Sequence, residues 1–241
     1  MEELYPWIGA CVGLVALGCV WAVMTGLKER RDVLNSLDMD YGISEDDDLP
    51  GFPLQSLVYV TVAVPALIYS LLLTTLIWIF SPLTDIQVTV AKGALLCLGL
   101  SALFGNLGRS LMYREATEGI GRSEHKKQLF GKYMVFLVLP ETVVIHGLLI
   151  SILGLVGSGA LDGNFAPSPV AIDAYFQACV ILGISAAAAI FVGTSFRRAP
   201  SLIESPEKFP QKIISTAVPM VINILGLAVA IWLMVDSGFF G

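Results

Sequence analysis

Long apolar runs separated by short polar stretches dominate the chain. Six of these runs are close to or longer than the roughly 20 residues that a helix needs to cross a bilayer. They cover about residues 5–27, 54–80, 86–113, 130–156, 170–196 and 213–235. The pattern therefore predicts an all-α membrane protein with six transmembrane helices.

The runs also follow a repeating plan. Pro65, Pro140 and Pro219 lie in the first halves of the even-numbered runs, spaced by 75 and then 79 residues. The odd-numbered runs are rich in Gly, Ala and Ser, and small residues let helices approach closely in lipid. We predict three repeated helical hairpins with the odd helices on the inside. Their expected boundaries are 1–81, 82–157 and 158–241.

Composition and charge agree with a membrane protein. Only 14% of the 241 residues are charged, against roughly 25% in soluble domains, and the mean hydropathy is +0.78. Thirteen of the fourteen Lys and Arg residues follow odd-numbered runs, if Arg109 is counted at the frayed end of the third. The positive-inside rule then predicts a polytopic integral membrane protein with both termini outside and three cytoplasmic basic loops.

Two stretches carry a resemblance to a known family. The stretches are LPETVVIHGLL (139–149) and GLSALFGNLGRSLMYREATEGIGR (99–122). They resemble the carboxylate-bearing helix, and the small-residue helix with its polar loop, of rotary ATPase membrane-ring proteolipids. These are the c or K subunits of V-type and archaeal-type enzymes. The resemblance implies a ring of copies of this chain, a stator membrane subunit with a basic residue, and central-stalk subunits at the cytoplasmic loops.

Glu141 is the candidate ion-binding residue. It lies nine residues past Lys132, about 13 Å along a helix, which places it near the middle of the membrane. An acidic residue there costs roughly 2.5–3.5 kcal/mol, so it must be protonated or paired with a cation when it faces lipid. These properties predict a carrier of H⁺ or Na⁺, with no other cofactor.

Four neighbours are candidates for supporting roles. Pro140 cannot donate a hydrogen bond to the carbonyl of Phe136, which loosens the helix beside the carboxylate. The hydroxyl of Thr142 could contact a bound Na⁺ together with Glu141, as the resemblance implies, or bond its own backbone. His146 could bond a neighbouring carboxylate or only pack at an interface. Asn106 is the nearest polar partner from the preceding helix.

The ion is predicted to be H⁺ rather than Na⁺. Thr142 favours sodium, but Val143 stands where sodium-binding relatives often carry glutamine, and it offers no oxygen. Ala66 and Met220 occupy the positions equivalent to Glu141 in the outer hairpins. One chain would thus supply one ion site for six helices. A ring of such chains would move fewer ions per turn, which favours pumping over ATP synthesis.

Other sequence features leave alternatives open. The acidic stretch at 38–53 does not have glycine and a terminal Glu at the positions that a calcium loop requires, so it is either a solvated loop or a stalk contact. The chain shows no nucleotide-binding glycine loop or nucleophile motif, and we expect no nucleic-acid partner. The main prediction is a non-catalytic, ion-translocating rotor subunit. The alternative is a repeat-built membrane scaffold or a secondary ion carrier.

Overall fold

The described part of the chain is helical throughout. The computed structural model describes residues 2–21, 83–122, 127–159, 167–198 and 201–241, together with residues 24, 68, 71 and 75. A 3₁₀ turn over Glu2–Leu4 precedes α1. The α-helices that follow are α1 (Tyr5–Trp21), α2 (Asp85–Arg122), α3 (Lys127–Gly157), α4 (Pro169–Ser185), α5 (Ala188–Arg197), α6 (Ser201–Glu204), α7 (Phe209–Ala217) and α8 (Met220–Asp236).

The predicted membrane-protein class is confirmed for these residues. Three segments are long and apolar enough to cross a bilayer, namely Asp85–Met112, Gly131–Gly157 and Pro169–Arg197. The pair α7 and α8 makes a fourth span if it is counted as one helix bent by 41°. Helix α1 is a shorter apolar helix. The predicted second run at 54–80 lies almost wholly outside the described residues, so the prediction of six helices stays a prediction.

Local sequence signals start and end several helices. Thr84 and Gln87 form a reciprocal capping box at the start of α2, with hydrogen bonds of 3.0 and 3.4 Å. The Ser168 hydroxyl accepts from Ala171 N–H at the start of α4. At the end of α8, Gly238 adopts a φ of 69° in a Schellman motif, because Phe239 N–H donates to the Met234 carbonyl.

Helices α2 and α3 form an antiparallel hairpin. Contacts between them pair rising numbers in α2 with falling numbers in α3. Ser151 Oγ donates to the Ala94 carbonyl at 2.8 Å, and Gly147 lies against Ser101. Gly105 lies against Val144, where an added Cβ would approach the Val144 side chain to 2.6 Å. The glycines therefore allow the close approach that the small-residue pattern predicts.

The third hairpin is formed by α4 and α5 on one side and by α7 and α8 on the other. Gly226 of α8 lies against Ser185 of α4, and Phe239 stacks on Tyr175 with ring centroids 5.0 Å apart. The run predicted as one helix over 170–196 is interrupted at Ala186 and Ala187. Hydrogen bonds there span three residues, as in the one from Ala189 N–H to the Ala186 carbonyl, which tightens the turn.

The small-residue helices pack side by side. Gly18 of α1 lies against Asn106 of α2, and Gly108 of α2 contacts the backbone of Ala189 in α5. A second contact for each pair joins Gly99 to Cys11 and Gly93 to Tyr175 of α4. Residue numbers rise together from one contact to the next in each pair, so the helices run parallel. Within the described residues, α2 therefore lies between α1 and α4–α5. These helices are the odd-numbered runs of the sequence, and their predicted close approach is confirmed.

Candidate functional site

Glu141 lies inside the α2–α3 hairpin, on the span Gly131–Gly157. The residue is buried, with 9% of its surface exposed. Burying an ionised carboxylate is costly unless another group pairs with it. In this fold the group that pairs with Glu141 comes from the same hairpin.

The partner of Glu141 is Arg109. An ion pair joins Arg109 Nη2 of α2 to Glu141 Oε2, and the two side chains are only 4% and 12% exposed. Arg109 lies within the span Asp85–Met112. The sequence pattern places Arg109 at the frayed end of the third run, but the structure is helical through this position. Helix α2 continues well beyond the third apolar run, so Arg109 lies inside the helix and faces α3.

Pro140 lies inside a continuous α3, which runs unbroken from Lys127 to Gly157. Helix α2 comes close at this point, because a Cβ atom added at Gly105 would lie 3.1 Å from the Pro140 carbonyl oxygen. The proline thus precedes Glu141 where the two backbones approach closely, without breaking the helix.

Thr142 bonds its own helix. Its hydroxyl donates to the Leu139 carbonyl at 2.6 Å, which is the backbone alternative that the sequence left open. Val143 is fully buried in an apolar cluster and offers no oxygen. The predicted Na⁺ contact of Thr142 stays a prediction.

His146 contacts the third hairpin. Its Nδ1 lies 2.6 Å from Asn223 Oδ1, and Asn223 Nδ2 donates to Ser185 Oγ at 3.2 Å. The Ser185 hydroxyl in turn donates to the Leu182 carbonyl at 2.8 Å. Since the amide oxygen of Asn223 can only accept, His146 Nδ1 carries the proton.

His146 and Glu141 face different neighbours. Five residues along a helix correspond to a rotation of about 140°, so the imidazole points toward α8 while the carboxylate points toward α2. The structure thus joins His146 to Asn223, not to Glu141 of the same chain.

Asn106 contacts α1. It is fully buried, and its Nδ2 donates to Cys19 Sγ at 3.5 Å. Its Oδ1 has no hydrogen-bond partner among the described residues. Asn106 lies three residues before Arg109, one helical turn away, and its predicted role toward Glu141 stays a prediction.

A cavity of about 500 Å³ lies between α3 and the α7–α8 pair. Thr142 and His146 contribute its polar atoms on α3, and apolar residues such as Ile214 and Val218 form the opposite wall. The cavity lies on the side of α3 that Thr142 and His146 share, because residues four apart occupy one helix face.

Most Lys and Arg residues of the described bundle lie at one of its ends. At one end, Lys212 Nζ donates to the Ser195 carbonyl at 2.7 Å, and Arg197 pairs with Glu115 at 3.6 Å. At the other end, Lys92 pairs with Glu3 at 2.8 Å. The hydrogen bond and the positive charge of Lys92 hold the pKa of Glu3 below its usual value. The basic end is the one at which α2 ends and α3 begins.

The fold and the site define a class: an integral membrane protein built from helical hairpins, with a carboxylate buried inside one of them. Residues 93–154, which contain Arg109 and Glu141, match the family model of the ATP synthase C subunit.

A curated relative extends the match beyond this segment. Over 156 residues the chain is 33% identical to the A-type ATP synthase subunit K of Methanocaldococcus jannaschii. This alignment covers 61% of the chain and 64% of that protein, so it spans just under two thirds of the relative's length. The two matches confirm the predicted resemblance to c or K proteolipids of rotary ATPases.

Two polar contacts are not evident from the sequence. The pairing of Arg109 depends on how α2 and α3 align, although its position four residues inside the apolar run 86–113 is a signal that it belongs to the helix. Asn223 gives no such signal, since a single amide in a membrane helix can serve many roles.

Proposed function

We propose that the chain is a rotor-ring subunit of a rotary ATPase, and that Glu141 carries the transported ion. The observation that carries this proposal is a membrane-buried carboxylate inside the very segment that matches the ATP synthase C subunit. The chain does not hydrolyse ATP itself. It moves the ion by binding it at a water-accessible stop and releasing it at another.

The proposed ion is H⁺. A proton requires one carboxyl oxygen, whereas a hard metal cation requires several oxygen ligands. Val143 supplies none. The Thr142 hydroxyl donates to its own backbone but keeps its lone pairs, so it adds one oxygen to Glu141, short of the several that a metal cation requires. Na⁺ is the alternative cargo, with Glu141 and Thr142 as its candidate ligands.

The proposed assembly is a ring of chains of three hairpins each, with boundaries at 1–81, 82–157 and 158–241. Its partners would be a stator subunit with a basic residue and central-stalk subunits at the cytoplasmic loops. The basic end of the described bundle would face the cytoplasm and both termini would face outside, because Lys and Arg favour the cytoplasmic side.

Replacing Glu141 tests the proposal. We expect Glu141→Gln to abolish both carbodiimide labelling of the chain and ATP-driven ion uptake into vesicles that contain the whole complex. The matched control is Glu115→Gln, which removes a carboxylate near the basic end of the same hairpin and is expected to retain both. Ion uptake by Glu141→Gln at the level of the unmodified protein would refute the proposal.

Two further readouts decide between the alternatives. Sodium that protects Glu141 from the carbodiimide would identify Na⁺ as the cargo. A rotor subunit purifies as a closed ring, whereas a secondary carrier transports its ion in vesicles that lack ATPase partners.

A further inference from the structure

A buried ion pair occupies the place where a transported cation would bind. Arg109 Nη2 contacts Glu141 Oε2, with both side chains nearly excluded from solvent. In a membrane-spanning hairpin such a pair requires an explanation, because two charges must be desolvated to form it and apolar replacements are often as stable.

The third hairpin supplies an internal comparison. In the second hairpin Gly147 lies against Ser101, and in the third Gly226 lies against Ser185. Each contact joins a glycine seven residues after the proline to a serine two residues after a glycine. The two contacts therefore define one common alignment of the hairpins.

This alignment shows which residues replace the ion pair. Arg109 lies eight residues after its serine, and so does Gly193. Glu141 lies six residues before its glycine, and so does Met220. Gly193 and Met220 are both buried, and Gly193 lies against Gly108 of α2, so the third hairpin is packed with neither charge at the positions that match in sequence. The pair is therefore not a requirement of hairpin packing.

We propose that Arg109 is a built-in counter-cation of Glu141, which neutralises the carboxylate whenever no ion is bound. This inference rests on the proposed function. Binding of a cation requires the guanidinium to give up the carboxylate, because both compete for the same oxygens.

This arrangement determines the net charge of the site with and without its ion. A lone membrane carboxylate is neutral with its ion bound and charged without it. With Arg109 present, the ion-free pair is neutral and the ion-bound site carries the charge of the guanidinium. The neutral ion-free pair disfavours ion binding in the low-dielectric interior, so the ion binds at a water-accessible stop, where water hydrates the displaced guanidinium. Arg109 thus acts on the ion through Glu141, as a competitor for the carboxylate oxygens and not as a ligand.

Carbodiimide labelling tests the inference, since the reagent modifies protonated carboxyl groups. We expect the purified full-length protein in detergent to label detectably at Glu141 at pH 7, but far less than a variant without the guanidinium. Arg109→Gln is expected to increase labelling by tenfold or more, because the guanidinium that contacts Glu141 Oε2 is then absent. Arg109→Lys keeps the positive charge and is expected to stay near the unmodified level. Mass spectrometry of the labelled peptide reads out each result.

Arg197→Gln is the matched control, because Arg197 is a half-exposed arginine paired with Glu115 at the membrane edge. It should leave labelling at Glu141 unchanged. Equal labelling of Arg109→Gln and the unmodified protein would overturn the inference. So would a comparable increase in Arg109→Lys or in Arg197→Gln.

A second measurement covers loss of folding. If Arg109→Gln prevents assembly, the double variant Arg109→Gln with Glu141→Gln is expected to restore it, because the unpaired carboxylate is then removed as well. Failure of the double variant to assemble would refute the pairing.

The outcomes separate this inference from the proposed function. If transport depends on Glu141 but labelling does not change in Arg109→Gln, the rotor function is supported and the counter-cation role is refuted. If labelling changes in Arg109→Gln but transport does not depend on Glu141, the ion pair is supported and the rotor function is refuted.

Discussion

The second and third hairpins follow the same plan but differ in charge and in helix continuity. In each hairpin, a glycine of the proline-containing helix lies against a serine of the small-residue helix. The second buries an arginine and a glutamate between its helices, whereas the third has glycine and methionine at the equivalent positions. The second hairpin thus carries an ion pair, and the third has the same glycine–serine contact without one.

The shared proline has different consequences in the two hairpins. Helix α3 continues through Pro140, whereas a 41° bend separates α7 from α8 at Pro219. Pro219 cannot donate to the Ser215 carbonyl, which instead accepts from Ser195 Oγ of α5 at 2.9 Å. Neighbouring serines commonly satisfy carbonyls that a proline frees in the membrane. A proline therefore permits a bend, and the surrounding helices decide whether it forms.

Removing the carboxylate alone should have the largest effect on stability. Glu141→Met gives the second hairpin the residue of the third but leaves Arg109 buried. We expect the free energy of unfolding to fall by about 3–5 kcal/mol, the usual cost of removing one partner of a buried pair. The double variant Arg109→Met with Glu141→Met should recover most of this loss, because it removes both charges. Denaturant titration in mixed micelles measures both values.

The control for this prediction lies in the third hairpin. Met220→Leu conserves volume at the equivalent buried position and should cost less than about 1.5 kcal/mol. If Glu141→Met cost no more than this control, the ion pair would contribute nothing to stability and the contrast between the hairpins would lose its energetic basis.

The helical plan is predictable from the sequence because it depends on local properties. Run length and hydropathy predict the spans Asp85–Met112, Gly131–Gly157 and Pro169–Arg197 to within a few residues. They do not predict the break at Ala186, since alanine is a good helix former. The break lies where the backbones of α2 and α5 meet, at Gly108 and Ala189, which is a property of packing.

The candidate site is predictable only in part. Glu141 is conspicuous in the sequence because a carboxylate is rare in an apolar run. Its pairing with Arg109 depends on the antiparallel alignment of α2 and α3, which periodicity does not specify. The sequence allows His146 to be a neighbour of a carboxylate, but the rotation of the helix directs it to Asn223 instead.

The contact between the second and third hairpins should be sensitive to one added methyl group. Gly108→Ala places a Cβ against the backbone of Ala189, where no side chain can move aside. We expect a loss of about 1–3 kcal/mol in unfolding free energy, as in overpacked cores. Gly13→Ala is the matched control, because an added Cβ there meets no atom of the described residues within 4 Å. A loss in Gly13→Ala equal to that in Gly108→Ala would contradict the close backbone contact.

The smallest expected effect concerns the polar link between the two hairpins. Asn223→Val replaces the amide by the residue type found at the equivalent position, Val144, and removes the hydrogen bonds to His146 and Ser185. Hydrogen bonds between membrane helices contribute about 0.6 kcal/mol on average and about 1.7 at most, so we expect a loss in that range. Carbodiimide labelling of Glu141 should be unchanged, because the carboxylate faces α2 and not α8. Altered labelling in Asn223→Val would show that the His146 link and the Glu141–Arg109 pair act together, and that the third hairpin contributes to the environment of Glu141.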